Sequence, residues 1–267
     1  MPGIASAFYR MFFAAVALWP FLLLSRTKLA RISQSTFWLA ALGGVFFAGD
    51  VGLYNIAVLH TSAGSATFLG NNAPLLVGLL TWGTTRKLPS PRFWTALAIA
   101  LSGACLIVTV DAQHLNSRSS ADFLAVMASI CFALYLMATE RLRERCDTGT
   151  LLALSTTTST VVLLVFAVSA HISLGVPSIP SMAALVGLGL ICQLTGYFCL
   201  TYALGHLPAT VTSVTLLAVA PLTAIFALFL FGERMTMVQI LGGSLVLIGV
   251  WIVSGAHRDQ RLSSIAE

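Results

Sequence analysis

The sequence predicts an all-α polytopic membrane protein. It has about nine transmembrane helices in two inverted repeats, four plus five, with the first helix of repeat one missing. Three observations carry this: the solvent the composition demands, the apolar windows, and a self-match between the halves. Of 267 residues, 58% are hydrophobic and only 9% charged, with a mean hydropathy of +0.93. A soluble domain carries about a quarter charged residues, so this chain could not cover its surface in water. Bilayer hydrocarbon needs about 20 apolar residues per helical span. Windows of that kind lie near 5–24, 37–57, 64–84, 92–110, 121–140, 149–170, 182–204, 208–231 and 236–255, leaving almost nothing for a soluble domain.

The self-match spaces the halves roughly 146 residues apart. Ala57 to His60, an apolar run centred on Pro74, and Gly103 recur as Ala203 to His206, Pro221 and Gly249. At that offset the last four spans pair with the first four, and the partner of 121–140 falls before residue 1. The units are therefore 1–112, a first repeat truncated at its N-terminus, 121–256, a second repeat, and 257–267, a cytoplasmic tail. An odd number of spans per repeat turns the halves over relative to each other. Duplication around broken or kinked helices is a transporter signature.

Taken in order, the first span has Arg10, then an apolar run from Met11 to Leu24 and Ser25-Arg26. No small-x-small cleavage signal precedes the basic loop, so it is read as a retained span. The second carries Asp50 and Tyr54, the third Asn71, Asn72 and Pro74, the fourth Gly103, and the fifth Tyr135. The sixth contains Ser155 to Thr160, six hydroxyls expected to bond carbonyls one turn back. The seventh presents Gln193, Tyr197 and Thr201 at one-turn spacing, and the eighth holds Pro221. Gly43, Gly44, Gly187, Gly189, Gly242 and Gly243 are read as permitting close helix contacts. His60 and His206 are read as residues at helix ends.

Orientation follows from lysine and arginine. Arg26, Lys28, Arg31, Arg86, Lys87, Arg92, Arg141, Arg143, Arg145, Arg258 and Arg261 fall on one side if every window spans; the other side has Arg118 and Arg234. The basic side is cytoplasmic, the C-terminus is inside, and the net charge of +5 reports topology rather than nucleic-acid binding. Cys105, Cys131, Cys192 and Cys199 sit inside spans and Cys146 in a basic loop, without metal-ligand spacing.

Several stretches resemble a known family. Gly49-Asp50 through His60 to Ala63, then Ala66 through Asn71-Asn72-Ala73-Pro74-Leu75, resemble EamA-type members of the drug/metabolite transporter superfamily. Leu217 to Leu222, Phe231-Gly232-Glu233-Arg234, and Leu241-Gly242-Gly243 through Gly249 resemble the second repeat of that family. The resemblance covers essentially the whole chain. It implies ten helices in two inverted five-helix repeats and movement of small metabolites across the cytoplasmic (inner) membrane. This chain departs in starting at what resembles the second helix, with Arg10 where that helix usually carries an arginine. It also has Thr84-Thr85-Arg86-Lys87 where a glycine-glutamate-arginine ending is frequent.

Polar residues within spans are expensive and so informative. Arg10 lies roughly 7–8 Å, and Asp50 roughly 10 Å, below the outer ends of their spans at 1.5 Å per residue. Two readings stand: a static ion pair, or a site responsive to substrate or proton. Tyr54 is one turn from Asp50 on the same face. Asn71 and Asn72 precede Pro74, which deprives the carbonyl of Gly70 of its helical partner. They line a wet cavity or form an interhelical packing bond. Gln193 and Tyr197 complete the cavity or serve as packing glue, and Tyr135 is a weaker member. Pro74 and Pro221 are helix kinks.

The function these residues predict is a secondary transporter, a permease or exporter of a small metabolite such as an amino acid or drug-like compound, working by alternating access. The alternatives are a channel or structural membrane protein, and less so an intramembrane enzyme, since Asp50 is the sole acid deep in a span. No Gly-rich nucleotide-binding loop of the lysine type is present, so ATP hydrolysis is not expected. The partners are a small-molecule substrate, with proton coupling open, the lipid bilayer and, also open, a second copy in a homodimer. Nucleic acid, metal and cofactor are not expected.

Overall fold

The computed structural model describes residues 2–24, 32–60, 69–111, 119–175, 178–232 and 236–266. Among them every regular element is helical. The order is α1 (Gly3–Leu24), α2 (Gln34–His60), α3 (Ala73–Thr85), α4 (Pro91–Asp111), α5 (Ser119–Arg143), α6 (Thr148–Ser169) and α7 (Ile179–Gly187). A π-helical segment (Leu188–Gly196) follows, then α8 (Tyr197–Leu204), α9 (Ala209–Leu216), α10 (Val219–Phe231) and α11 (Met237–Ala266). Seven stretches are long and apolar enough to cross a bilayer, α7 through α8 acting as one and α9 through α10 as another. Shorter apolar helices occupy Ala73–Thr85 and Pro91–Ile107. The chain is an all-α polytopic membrane protein. Of the charges used for orientation, Arg26, Lys28, Arg31, Arg118 and Arg234 lie outside the described residues.

Side-chain size is sorted in the sense a lipid solvent requires. Large apolar groups face out: Trp251, Phe229 and Leu230 are each more than 70% exposed. The interior is dense in alanine, including Ala5, Ala14, Ala40, Ala96, Ala100 and Ala125. Lipid tails give apolar side chains no reason to turn inward, whereas small residues let backbones approach and gain dispersion contacts. Two of the four clusters in the core are the largest. One joins Phe8, Met11, Phe47, Val77, Tyr135, Leu136 and Leu163; the other joins Phe93, Leu97, Ile107, Val214, Leu217 and Val246.

Several close approaches at glycines recur at the offset read from the sequence. Between α4 and α11, a Cβ on Gly103 would strike the carbonyl of Gly242, and a Cβ on Gly249 would lie 2.6 Å from the carbonyl of Ala96. Moving each member of the first pair by 146 positions into the other half yields the second pair. A second set does the same at 145. Gly44 abuts Ser155 O and Thr158 Cβ, and Gly189 abuts Arg10 O and Phe13 Cβ. The close contacts expected at Gly44, Gly189 and Gly242 are thus present. Gly43 has its nearest neighbour at 3.8 Å and Gly187 has none within 4 Å, so packing does not require glycine at either.

The α6 hydroxyl run largely bonds one turn back, as expected. Ser155 donates to Leu152 O, Thr158 to Leu154 O, and Thr160 to Thr156 O. Ser159 reaches both Ser155 O and, across the interface, Gly44 O at 2.7 Å. Two members differ: Thr157 accepts the indole N–H of Trp19 at 3.2 Å, and the buried Thr156 hydroxyl has no partner among the described residues.

Both prolines stand at interruptions of their helices, where the sequence placed kinks. Helical residues 69–70 are followed by a turn at Asn71–Asn72, after which α3 begins at Ala73 with Pro74 in its first turn. In the other half a turn at Leu217–Ala218 separates α9 from α10, and Pro221 stands in the first turn of α10. A first-turn residue has no intrahelical acceptor for its N–H, so proline there sacrifices no hydrogen bond. The carbonyl that Pro221 leaves free, Leu217 O, accepts Ala220 N–H at 3.1 Å, and at the first interruption Asn72 donates its backbone N–H and its Nδ2 to Leu69 O. The helices after the breaks also end alike. Arg86 (φ 54°) and Gly232 (φ 68°), again 146 apart, are left-handed C-caps.

Candidate functional site

The π-helical segment positions the central group. Gly189 lets this widened backbone sit directly on α1, where a Cβ would be 2.7 Å from Phe13 Cβ and 3.1 Å from Arg10 O. One turn on, the fully buried Gln193 accepts the Nε–H of Arg10 through Oε1 at 3.0 Å. The Arg10 guanidinium also lies over the ring of Tyr197, 5.5 Å from its centroid, a cation–π arrangement. Such π segments are rare and recur at functional sites.

Beside them, aromatic rings from three helices stack. Phe47 of α2 lies 4.5 Å from Tyr135 of α5, nearly parallel at 12°, and 4.6 Å from Tyr197 of α8. The Tyr135 hydroxyl sits among those of Thr139, Ser155 and Thr201 without reaching hydrogen-bond geometry with any of them. Asp50, one turn beyond Phe47 on α2, lies within the electrostatic field of Arg10. The Nε–H of Arg10 is nonetheless directed at neutral Gln193.

Arg10, Gln193, Tyr197 and Tyr135, with Asp50 alongside, therefore form one neighbourhood. Tyr54 faces the first-repeat break, its ring carbons 3.0–3.2 Å from where a Cβ of Gly70 would lie. Asn72 turns its amide back onto Leu69 O, and Asn71 is half-buried beside it. His60 ends α2, and the ring of His206, just past α8, lies tilted against Tyr202 with centroids 4.4 Å apart.

Two residues of consequence escaped the sequence reading. Phe47 shares a helical face with Asp50 and Tyr54 at spacings of three and seven, a signal that was available. Arg143, read only as a topological charge, bonds Thr201 O at 3.2 Å and also Cys146 O. It thereby ties the end of α5 to α8 and to the following loop, and nothing in one dimension distinguishes it from Arg141 or Arg145. Among the described residues no three His, Cys, Asp or Glu side chains converge as a metal site. The group presents a cation, an amide, a carboxylate and aromatic faces, a set suited to holding a polar molecule within the bilayer.

Comparison with known proteins agrees with this architecture. The model of the EamA-like transporter family matches residues 1–109 and again 119–255. An "Uncharacterized transporter" of Archaeoglobus fulgidus is 28% identical over 259 residues, covering 95% of this chain and 88% of that protein. A "Probable terminal-alkyne amino-acid exporter" of Streptantibioticus cattleyicolor is 25% identical over 212 residues, covering 78% and 70%. A solved crystal structure of 14% identity superposes with a TM-score of 0.82 over 97% of this chain and 90% of its own, a likeness of fold. The chain belongs to the EamA-like transporter family.

Proposed function

We propose that this protein is a secondary transporter, exporting a small amino-acid-like or drug-like metabolite across the cytoplasmic membrane by alternating access. The observation that carries the reading is the pair of helix breaks, Asn71–Asn72 and Leu217–Ala218, at the same place in the two halves. Discontinuous helices in repeat-related positions are where transporters of this design hold substrate and bend. The reciprocal glycine contacts at 145 and 146 residues support two halves of like structure in opposite orientation. In this arrangement nine spans place the basic loops and the C-terminus inside. The exporter among its relatives supports the outward direction and the cargo class.

Counterflow in proteoliposomes, with radiolabelled amino acids as cargo, tests the reading. Wild type should show saturable exchange without conductance. Asp50→Asn should abolish exchange, since Asp50 is the acid nearest Arg10 within the spans. Adding Arg10→Gln should restore folding but not transport. Fully active Asp50→Asn would remove it from the site, and single-channel currents would overturn the carrier mechanism.

A further inference from the structure

We propose that Arg10 and Gln193 form a carboxylate-binding subsite, so that the molecule this protein moves carries a carboxylate. The proposal rests on the transporter reading and names the chemistry of its cargo. Gln193 is 0% exposed and its Oε1 is engaged by Arg10 Nε–H, yet its Nε2 has no hydrogen-bond partner among the described residues. Rotating the amide does not help, because arginine has only donors and would then face a second donor. Arg10 therefore fixes the amide with its N–H groups turned away, a buried donor awaiting an acceptor.

The guanidinium adds more of the same. Of its five N–H donors, one goes to Gln193, and its Cζ lies 5.5 Å from the centroid of the Tyr197 ring. The Gln193 Nε2 donors lie one amide width from this contact, so a neutral donor stands near the charged ones. The group that complements them is planar, has two acceptor oxygens and carries one negative charge. A carboxylate meets all three conditions and pairs with the arginine fork in bidentate fashion. A phosphate dianion does not: it is tetrahedral and brings a second negative charge against one cation. The π segment makes the subsite, since its approach through Gly189 brings Gln193 against α1.

Binding to the purified protein, read as a thermal shift and as a Kd by calorimetry, tests this without transport. The probes are leucine, phenylalanine and butyrate, each against its primary amide, with inorganic phosphate as a further arm. The carboxylates should bind at least tenfold more tightly than the amides, and phosphate should not compete. Gln193→Leu should weaken carboxylate binding about tenfold, which is about 1.4 kcal/mol. Gln193→Glu should fold, because its own carboxylate meets Arg10, and should abolish binding of the probes. Amides binding as well as acids, no carboxylate binding at all, or unchanged binding by Gln193→Glu would each overturn the subsite. Counterflow of a cargo without a carboxylate would defeat the subsite and leave the transporter standing. Carboxylate binding without any counterflow would do the reverse.

Discussion

Gly242→Ala probes the contact on which α4 and α11 are built. The added Cβ would lie 2.6 Å from Gly103 O, 2.9 Å from Ile107 Cγ1 and 3.1 Å from Leu106 Cβ, whereas ordinary contact begins at 3.4 Å. The nearest atom is backbone, so no side-chain rotation relieves it, and the helices must part locally by roughly 0.8 Å. A gap of that order removes about a quarter to a half of the dispersion well for each atom pair it opens. Overpacking of this kind costs about 1–3 kcal/mol. Replacing a helical glycine by alanine returns about 1 kcal/mol of propensity. Gly43→Ala is the matched control, since its new Cβ has nothing closer than Ala138 Cβ at 3.8 Å and keeps the propensity gain. Reversible unfolding in bicelles should therefore separate the two variants by about 1–3 kcal/mol, Gly242→Ala being the weaker. Gly249→Ala, facing Ala96 O at 2.6 Å, should follow Gly242→Ala. Equal stability of Gly242→Ala and Gly43→Ala would refute the close-contact argument.

Two further expectations concern helix ends. Arg143→Gln loses charge-assisted bonds to Thr201 O and Cys146 O and should lower unfolding stability by about 2 kcal/mol, the group being only half-buried. Arg143→Lys should not rescue it, because a single ammonium lacks the fork that spans both carbonyls; equal melting temperatures for wild type and both variants would contradict this. Arg86→Gly should stabilise by about 1 kcal/mol, because φ of 54° is strained for a residue with a Cβ. The reciprocal Gly232→Arg should cost a like amount in the same melt, and a neutral result for both would remove strain as the explanation.

The candidate site was legible in part. Asp50, Tyr54, Gln193 and Tyr197 stand out because a polar side chain in an apolar window is costly wherever it points. What each touches was not legible. Arg10 is the cation in whose field Asp50 lies, but that its Nε–H goes to Gln193, 183 residues away, has no sign in one dimension. That choice depends on Gly189 letting a π-helical backbone reach α1, and π geometry leaves no periodic signature in nine residues.

The sequence by itself determined the solvent and the helical class, because each is a property of composition or spacing along one chain. A helix satisfies its own backbone in lipid, so a sufficiently long apolar window suffices to specify it. Tertiary structure alone decided where helices stop and what they meet. Pro74 and Pro221 are compatible with a bend or with a new first turn, and proline chemistry does not choose between them. The choice falls to neighbours: Tyr54 covers Gly70 at one break, and Pro221 at the other packs its Cβ 3.1 Å from where a Cβ of Gly243 would lie. Arg143 likewise acquires its role only when α8 brings Thr201 O within reach, since a long cationic side chain has no partner until the fold supplies one.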